Sequence, residues 1–299
     1  MAKLSAGWRP YVLLTLLCAL LFLPGLNDLP ATDRDEARFA QASKQMLQSG
    51  NFVVPHFQER QRTKKPAGIY WLQAGSTAVL SSADAREIWS YRVPSVIGAW
   101  AAVLLTFALG RRLFDPDSGL VGAGLLATSL LLVAESHLAK TDAVLLSTAV
   151  LSFLGLAQLW MRERAGEAPP RHAWLVIWGG LGLASLIKGP IIPTVFALTL
   201  LGLRVAAGHW RWLAGLRPGR GIALGLAILS PWLVALWIGG TFNFVAESAK
   251  EDLIPKLLSG VESHGAPPGH DGPVPMITPM HTTCPLQRIR EVSISVALL

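Results

Sequence analysis

The sequence predicts an all-α integral membrane protein, a polytopic bundle of about seven transmembrane helices with a long first outer loop that carries interfacial helices. Three observations predict it. Of the 299 residues 52% are hydrophobic and 15% charged, with a mean hydropathy of +0.43, outside the range of soluble domains. The apolar residues fall in runs long enough to cross a hydrocarbon core of roughly 30 Å. Lys and Arg concentrate in alternate loops between those runs, as the positive-inside tendency requires.

The first run, Pro10 to Leu26, follows Lys3 and Arg9 in the layout of a signal peptide, but Leu29-Pro30-Ala31 is a poor cleavage site. It is therefore read as an uncleaved first helix. Further spans are expected at Trp89–Leu109, Gly119–Ala134, Asp142–Trp160, Ala173–Ile187, Gly189–Val205 and Gly221–Gly240. Gly179-Gly180-Leu181-Gly182 offers the small-residue surface on which membrane helices approach closely. With the N-terminus inside, Arg9, Arg111, Arg112, Arg162, Arg164, Arg171, Arg204, Arg211, Arg217 and Arg220 share one side, and the short connections on the other hold only Lys140 and Lys188.

The loop from Asn27 to Ile88 departs from that rule with eight basic residues, Arg34, Arg38, Lys44, Arg60, Arg62, Lys64, Lys65 and Arg86. Long loops are less bound by it. Within the loop Thr32 is placed to cap a helix starting near Asp33, Ala37, Phe39, Ala40, Met46 and Leu47 give that helix an apolar face, and Gly50 stops it. Ile69 to Leu80 is too short to span, and opens with Tyr70 and Trp71, aromatics suited to an interface, so it is expected to lie on the membrane.

Two cysteines, Cys18 and Cys284, supply neither a disulfide framework nor metal-site spacing. The net charge of +7 arises from basic residues flanking spans, which implies the lipid bilayer as partner and no nucleic acid.

Polar residues that do not merely solubilise gather on the outer side: Asp35, Glu36, Arg38, Lys64, Lys65, Glu135, His137, Lys140, Asp142, Lys188, Glu262 and His264. Ionisable groups at a membrane lip persist where they pair, line a cavity or react, and carboxylates beside cations suit an anionic substrate handled near a base. Each has a plainer explanation. Asp35 and Glu36 could complement a helix dipole, Asp142 could cap its helix or pair with Lys140, and Lys188 could snorkel to headgroups. Glu262 and His264 could belong to a divalent-metal site, but a lone His and Glu in a Gly/Pro-rich stretch reads more readily as loop, so neither a metal nor a cofactor is assigned.

Asp35-Glu36-Ala37-Arg38-Phe39-Ala40, Ser49 to Pro55, Lys65-Pro66 and Tyr70-Trp71 occur in that order, followed by Glu135 to Asp142, Leu186-Ile187-Lys188-Gly189-Pro190 and Glu262 to Gly269. Together they resemble bacterial GT-C glycosyltransferases, the lipid A aminoarabinose transferases and the wider dolichyl-phosphate-mannose-protein mannosyltransferase-like group, over roughly residues 10 to 269. The resemblance implies a membrane glycosyltransferase of the bacterial inner membrane, N-terminus cytoplasmic and active site facing the periplasm. It would move a sugar from a polyprenyl-phosphate carrier to lipid A, another glycolipid or a protein. By the same resemblance Asp35 is the principal catalytic carboxylate, Glu36 and Asp142 support it, and Arg38, Lys65 and Lys188 hold the carrier phosphate. Lys140, Tyr70 and His264 complete the expected donor site.

Two departures stand out. Lys64 occupies a position where relatives show an acid, which weakens any metal site that includes His264. After Gly269 the sequence lacks the further spans the resemblance implies, so residues 1–269 are read as the transferase domain and 270–299 as an atypical tail left by truncation or a shifted frame. A polytopic transporter or flippase and an inactive fragment are the alternative readings, the first opposed by the lack of an internal repeat.

Overall fold

A computed structural model of the chain describes residues 5, 7–31, 33–63, 65–84, 87–241 and 243–244. These belong to one compact unit, Met1–Ile254, and all of 255–299 lies outside the described residues, including Glu262, His264 and the tail from 270. The architecture is helical, with one two-stranded hairpin.

Helix α1, Arg9–Phe22, starts with Pro10 in its first turn, where the missing N–H costs nothing. Helix α2, Arg34–Ser49, is capped by Asp33, whose side chain accepts the Asp35 N–H at 2.7 Å, and ends at Gly50 with φ +69°. The cap is thus Asp33 rather than Thr32, which lies outside the described residues. The hairpin β1, His56–Phe57, with β2, Arg60–Gln61, turns through Gln58 at φ +58° and leads to α3, Gly68–Leu80.

The remaining helices are α4 (Trp89–Leu113), α5 (Pro116–Ala127), α6 (Leu130–Ser136), α7 (Asp142–Arg164), α8 (Ala173–Lys188), α9 (Ile191–Ala207) and, after a 3-10 turn at Arg211–Leu216, α10 (Pro218–Ile238). Each expected span therefore falls on a helix or helix pair. By length and composition α4, α7 and Trp212–Ile238 can each cross a membrane, and α5 with α6 would make a fourth, while α1, α8 and α9 are apolar but shorter.

The expected span Gly119–Ala134 is not one straight helix, for α5 and α6 meet at a 60° bend. The sequence Thr128-Ser129 explains the break. The Thr128 hydroxyl donates back to the Gly124 carbonyl at 3.0 Å, and Ser129 turns extended so that its Oγ accepts the Leu132 N–H and caps a new helix.

Helix α3 buries one face rather than resting wholly on a surface: Ile69, Tyr70, Gln73, Ala74 and Thr77 are inaccessible, while Leu72, Val79 and the terminal Leu80 stay exposed. Tyr70, expected at an interface, is among the buried. The Ser43 hydroxyl donates to Gln73 Oε1 at 2.7 Å and ties α3 to α2.

Close approach of backbones holds the centre together. A Cβ at Gly98 of α4 would lie 2.7 Å from the Val144 backbone of α7, and one at Gly180 of α8 would lie 2.8 Å from the Thr148 carbonyl of α7. The Gly179–Gly182 run thus does what small residues do between membrane helices. Gly98→Ala is expected to destabilise the protein by about 1–3 kcal/mol through overpacking. Gly122→Ala, with nothing within 4 Å of the new methyl, serves as the neutral control in detergent thermal melts.

Candidate active site

Contacts between helix ends sort the charges into two groups. At one end Arg92, near the start of α4, donates to the carbonyls of Leu26 at 2.9 Å, Leu29 at 2.8 Å and Pro30 at 3.1 Å, just after α1. His137, after α6, meets the Pro24 carbonyl through Nε2 at 2.9 Å, and Lys188 at the end of α8 pairs with Asp142 at the start of α7. At the other end Arg111 lies 3.4 Å from the Tyr11 hydroxyl, and His209 lies 3.7 Å from Glu163. Of the acids and lysines singled out in the sequence, Glu36, Lys140, Asp142 and Lys188 take part in contacts of the first group.

Asp35 stands in the first turn of α2, its carboxylate 3.4 Å from Arg38 Nη1, with both side chains still about a quarter to a third exposed (26% and 30%). Such a long pair near solvent is weak.

Glu36, one residue on, turns into the bundle and is fully buried. Its Oε1 accepts from Arg92 Nε at 2.7 Å and from the Ala139 N–H at 3.1 Å, and its Oε2 accepts from Arg92 Nη2 at 3.2 Å. This carboxylate ties α2 to α4 and to the connection between α6 and α7. Arg92, 1% exposed, is the residue that the sequence reading missed, and its signal was a lone arginine a few residues inside an apolar span.

Two further ion pairs surround Asp35's helix end. Lys140 pairs with Asp33, the cap of α2, and Lys188 pairs with Asp142, so Asp142 takes Lys188 rather than Lys140 as its partner, and Lys188 does more than snorkel. Glu135 lies within electrostatic reach of Asp142, Lys140, Lys188 and Asp33, and its Oε2 is sealed from solvent with no hydrogen-bond partner among the described residues.

The Lys140 hydrogen bond holds the Asp33 carboxyl below its usual range, against a smaller opposing effect of burial and with help from the Asp35 N–H. For Lys140 burial acts downward, but Asp33, Glu135 and Asp142 together outweigh it and raise its affinity for the proton. A lowered acid stabilises the fold above its ordinary value of 3.8 and loses that contribution as pH falls through its lower folded value. A raised lysine contributes below its ordinary 10.5 and loses that as pH rises through its higher folded value. The clasp between α2 and the α6–α7 connection is therefore expected to hold across neutral pH. Amide exchange in the first turn of α2 checks this: between acid and neutral pH, protection should fail only in acid, and at a higher pH in Lys140→Met than in the parent.

Tyr70, expected at the donor site, is inaccessible. Its hydroxyl accepts from Arg62 Nε at 2.8 Å, and burial pushes the phenol up to about 12 against the opposing charge of Arg62. Lys65 is half-buried ahead of α3. Lys64 and His264 lie outside the described residues, and among the described residues no three His, Cys, Asp or Glu side chains converge as metal ligands.

The chain is similar to known proteins in sequence and in fold. The undecaprenyl phosphate-alpha-4-amino-4-deoxy-L-arabinose arabinosyl transferase of Pseudomonas paraeruginosa is 32% identical over 233 residues, 76% of this chain and 40% of that protein. The transferase of the same description from Edwardsiella ictaluri is 27% identical over 242 residues, 79% of this chain and 40% of its own length. The chain thus spans about 40% of the length of the curated relatives it matches. Among solved structures, ArnT from Cupriavidus metallidurans superposes in its apo state with a TM-score of 0.67 at 18% identity, covering 79% of this chain and 43% of that one. Its form bound to undecaprenyl phosphate gives 0.65 at 19%, covering 81% and 44%. At these identities the superposition establishes a shared fold. Residues 64–235, more than half of the chain, match the family of dolichyl-phosphate-mannose-protein mannosyltransferases, and the chain belongs to that family.

Proposed function

We propose that residues 1–269 carry the donor site and catalytic carboxylate of a membrane glycosyltransferase. In this reading it moves a sugar from a polyprenyl-phosphate carrier, of the undecaprenyl phosphate-aminoarabinose type, to lipid A, another glycolipid or a protein. The reaction takes place on the periplasmic side of the bacterial inner membrane.

The observation that carries the reading is the half-exposed Asp35–Arg38 pair at the capped start of α2, set among the Lys140–Asp33 and Lys188–Asp142 pairs. Transfer breaks the bond between the anomeric carbon and the carrier phosphate and forms one to an acceptor oxygen. The phosphate leaves with the bonding electrons, and the developing charge calls for fixed cations. Arg38, Lys65 and Lys188 are the cations assigned to it. Where the acceptor is a hydroxyl, Asp35 takes its proton; where it is a phosphate, no proton moves and Asp35 orients the acceptor and stabilises positive charge at the sugar. Asp142 holds Lys188 toward the donor, and Lys140 fixes Asp33 and through it the start of α2.

The purified chain in liposomes, given a radiolabelled undecaprenyl phosphate-linked sugar, tests this. Label on the acceptor supports transfer, and label that crosses the vesicle wall still on its carrier would assign the protein to transport instead.

A further inference from the structure

Arg62 follows directly on β2 and is held at three points. Its backbone N–H donates to the Pro55 carbonyl at 2.8 Å, its Nε donates to the buried Tyr70 hydroxyl at 2.8 Å, and its guanidinium carbon lies 4.7 Å from the centroid of the Phe39 ring. Ordering a long cationic side chain costs entropy, and nothing in the hairpin requires it, because the backbone bond to Pro55 already closes the loop.

What the side chain offers is unused. Among the described residues no carboxylate pairs with Arg62 and no acceptor meets its two η-nitrogens, neither of which is sealed from solvent. The Nε and the ring face are occupied, so the outer edge of the fork, with its parallel N–H donors, is the part left to bind. A guanidinium fixed in this way suits a tetrahedral oxyanion better than a mobile lysine does.

Its place fits the proposed donor site. Phe39 is four residues beyond Asp35 on α2, hence on the same face of that helix, and the Tyr70 phenol feels the charges of both Arg62 and Asp35. Lys65 is three residues further along the chain.

We infer that Arg62 is a further donor-binding residue, one that grips the phosphate of the polyprenyl carrier through its η-nitrogens beside Asp35, with Tyr70 and Phe39 as its mount. This rests on the proposed function. It also gives the buried Tyr70 a role: the phenol positions the arginine instead of touching the donor.

The test is binding of undecaprenyl phosphate, with undecaprenol as the phosphate-free comparison, to the full chain in nanodiscs. Arg62→Met is expected to weaken undecaprenyl phosphate binding about 10- to 100-fold, the range for a lost charged hydrogen-bonding partner, and to leave undecaprenol unchanged. Arg62→Lys should recover part of the loss, and Tyr70→Phe should weaken phosphate-dependent binding several-fold with Arg62 still present. Unchanged undecaprenyl phosphate affinity in Arg62→Met, or an equal loss for both lipids, would overturn the assignment of Arg62 while leaving the proposed function standing. A parent chain that prefers undecaprenyl phosphate no more than undecaprenol would overturn both.

Discussion

Asp35→Asn is expected to lower the rate of sugar transfer by about 10²- to 10⁴-fold, the usual worth of a positioned acid or base. Binding of undecaprenyl phosphate should survive, because the cations assigned to the phosphate are untouched. The substitution keeps the size of the side chain and leaves an oxygen that can still accept from Arg38, now 3.4 Å away. It therefore separates chemistry from architecture. If Asp35 only complemented the dipole of α2, its loss would cost about 0.3–1 kcal/mol of stability and leave transfer alone. Single-turnover transfer measured beside a thermal melt distinguishes the two roles, and undiminished transfer would remove Asp35 from the mechanism.

The largest effect on stability is expected at the Glu36–Arg92 pair. Both side chains are essentially inaccessible, at 0% and 1%, and the guanidinium also satisfies three carbonyls of the segment between α1 and α2. Removing either partner strands the other charge in a dry environment, which costs about 3–5 kcal/mol. Arg92→Met and Glu36→Gln should each lower the melting temperature sharply, with Arg92→Met the worse because it also orphans the Leu26, Leu29 and Pro30 carbonyls. A double-mutant cycle should give a combined loss well below the sum of the two, since the second change removes the charge that the first left unpaired. Additive losses would mean that the two residues act separately.

The consequence for function is geometric. Asp35 and Glu36 are adjacent on α2, about 100° apart around its axis. Anchoring Glu36 in the bundle fixes the direction in which Asp35 points, and the Lys140–Asp33 clasp fixes the start of the same helix. The carboxylate proposed to act is thus mounted on a helix held from both sides.

The sequence makes the spans and the two-sided charge distribution legible because both follow from transfer energies that depend on residue type alone. Gly50 as a stop and the Gly-rich packing surface are legible for a similar reason, since only glycine suits the left-handed cap and the closest backbone contacts. The break at Thr128-Ser129 is harder to foresee. Both residues occur inside membrane helices, and the choice between continuing and recapping rests on where α5 and α6 pack. The same holds for the roles of individual charges. Asp35 and Glu36 read alike as a pair of acids in a first turn, yet one is half-exposed and the other sealed against Arg92, because a partner 56 residues away selects the second. Tyr70 and Arg62 show the converse: an aromatic suited to an interface is buried, and a cation that reads as one of many in a basic loop is held by that aromatic's hydroxyl.

Photo-crosslinking with a diazirine-bearing undecaprenyl phosphate, mapped by mass spectrometry on the full chain, tests the location of the donor site most directly. The account predicts adducts on the segments around Asp35 to Phe39, Arg62 to Lys65 and Glu135 to Asp142, and near Lys188. Adducts confined to the opposite end, around Arg111, Arg162 or Arg204, would contradict it.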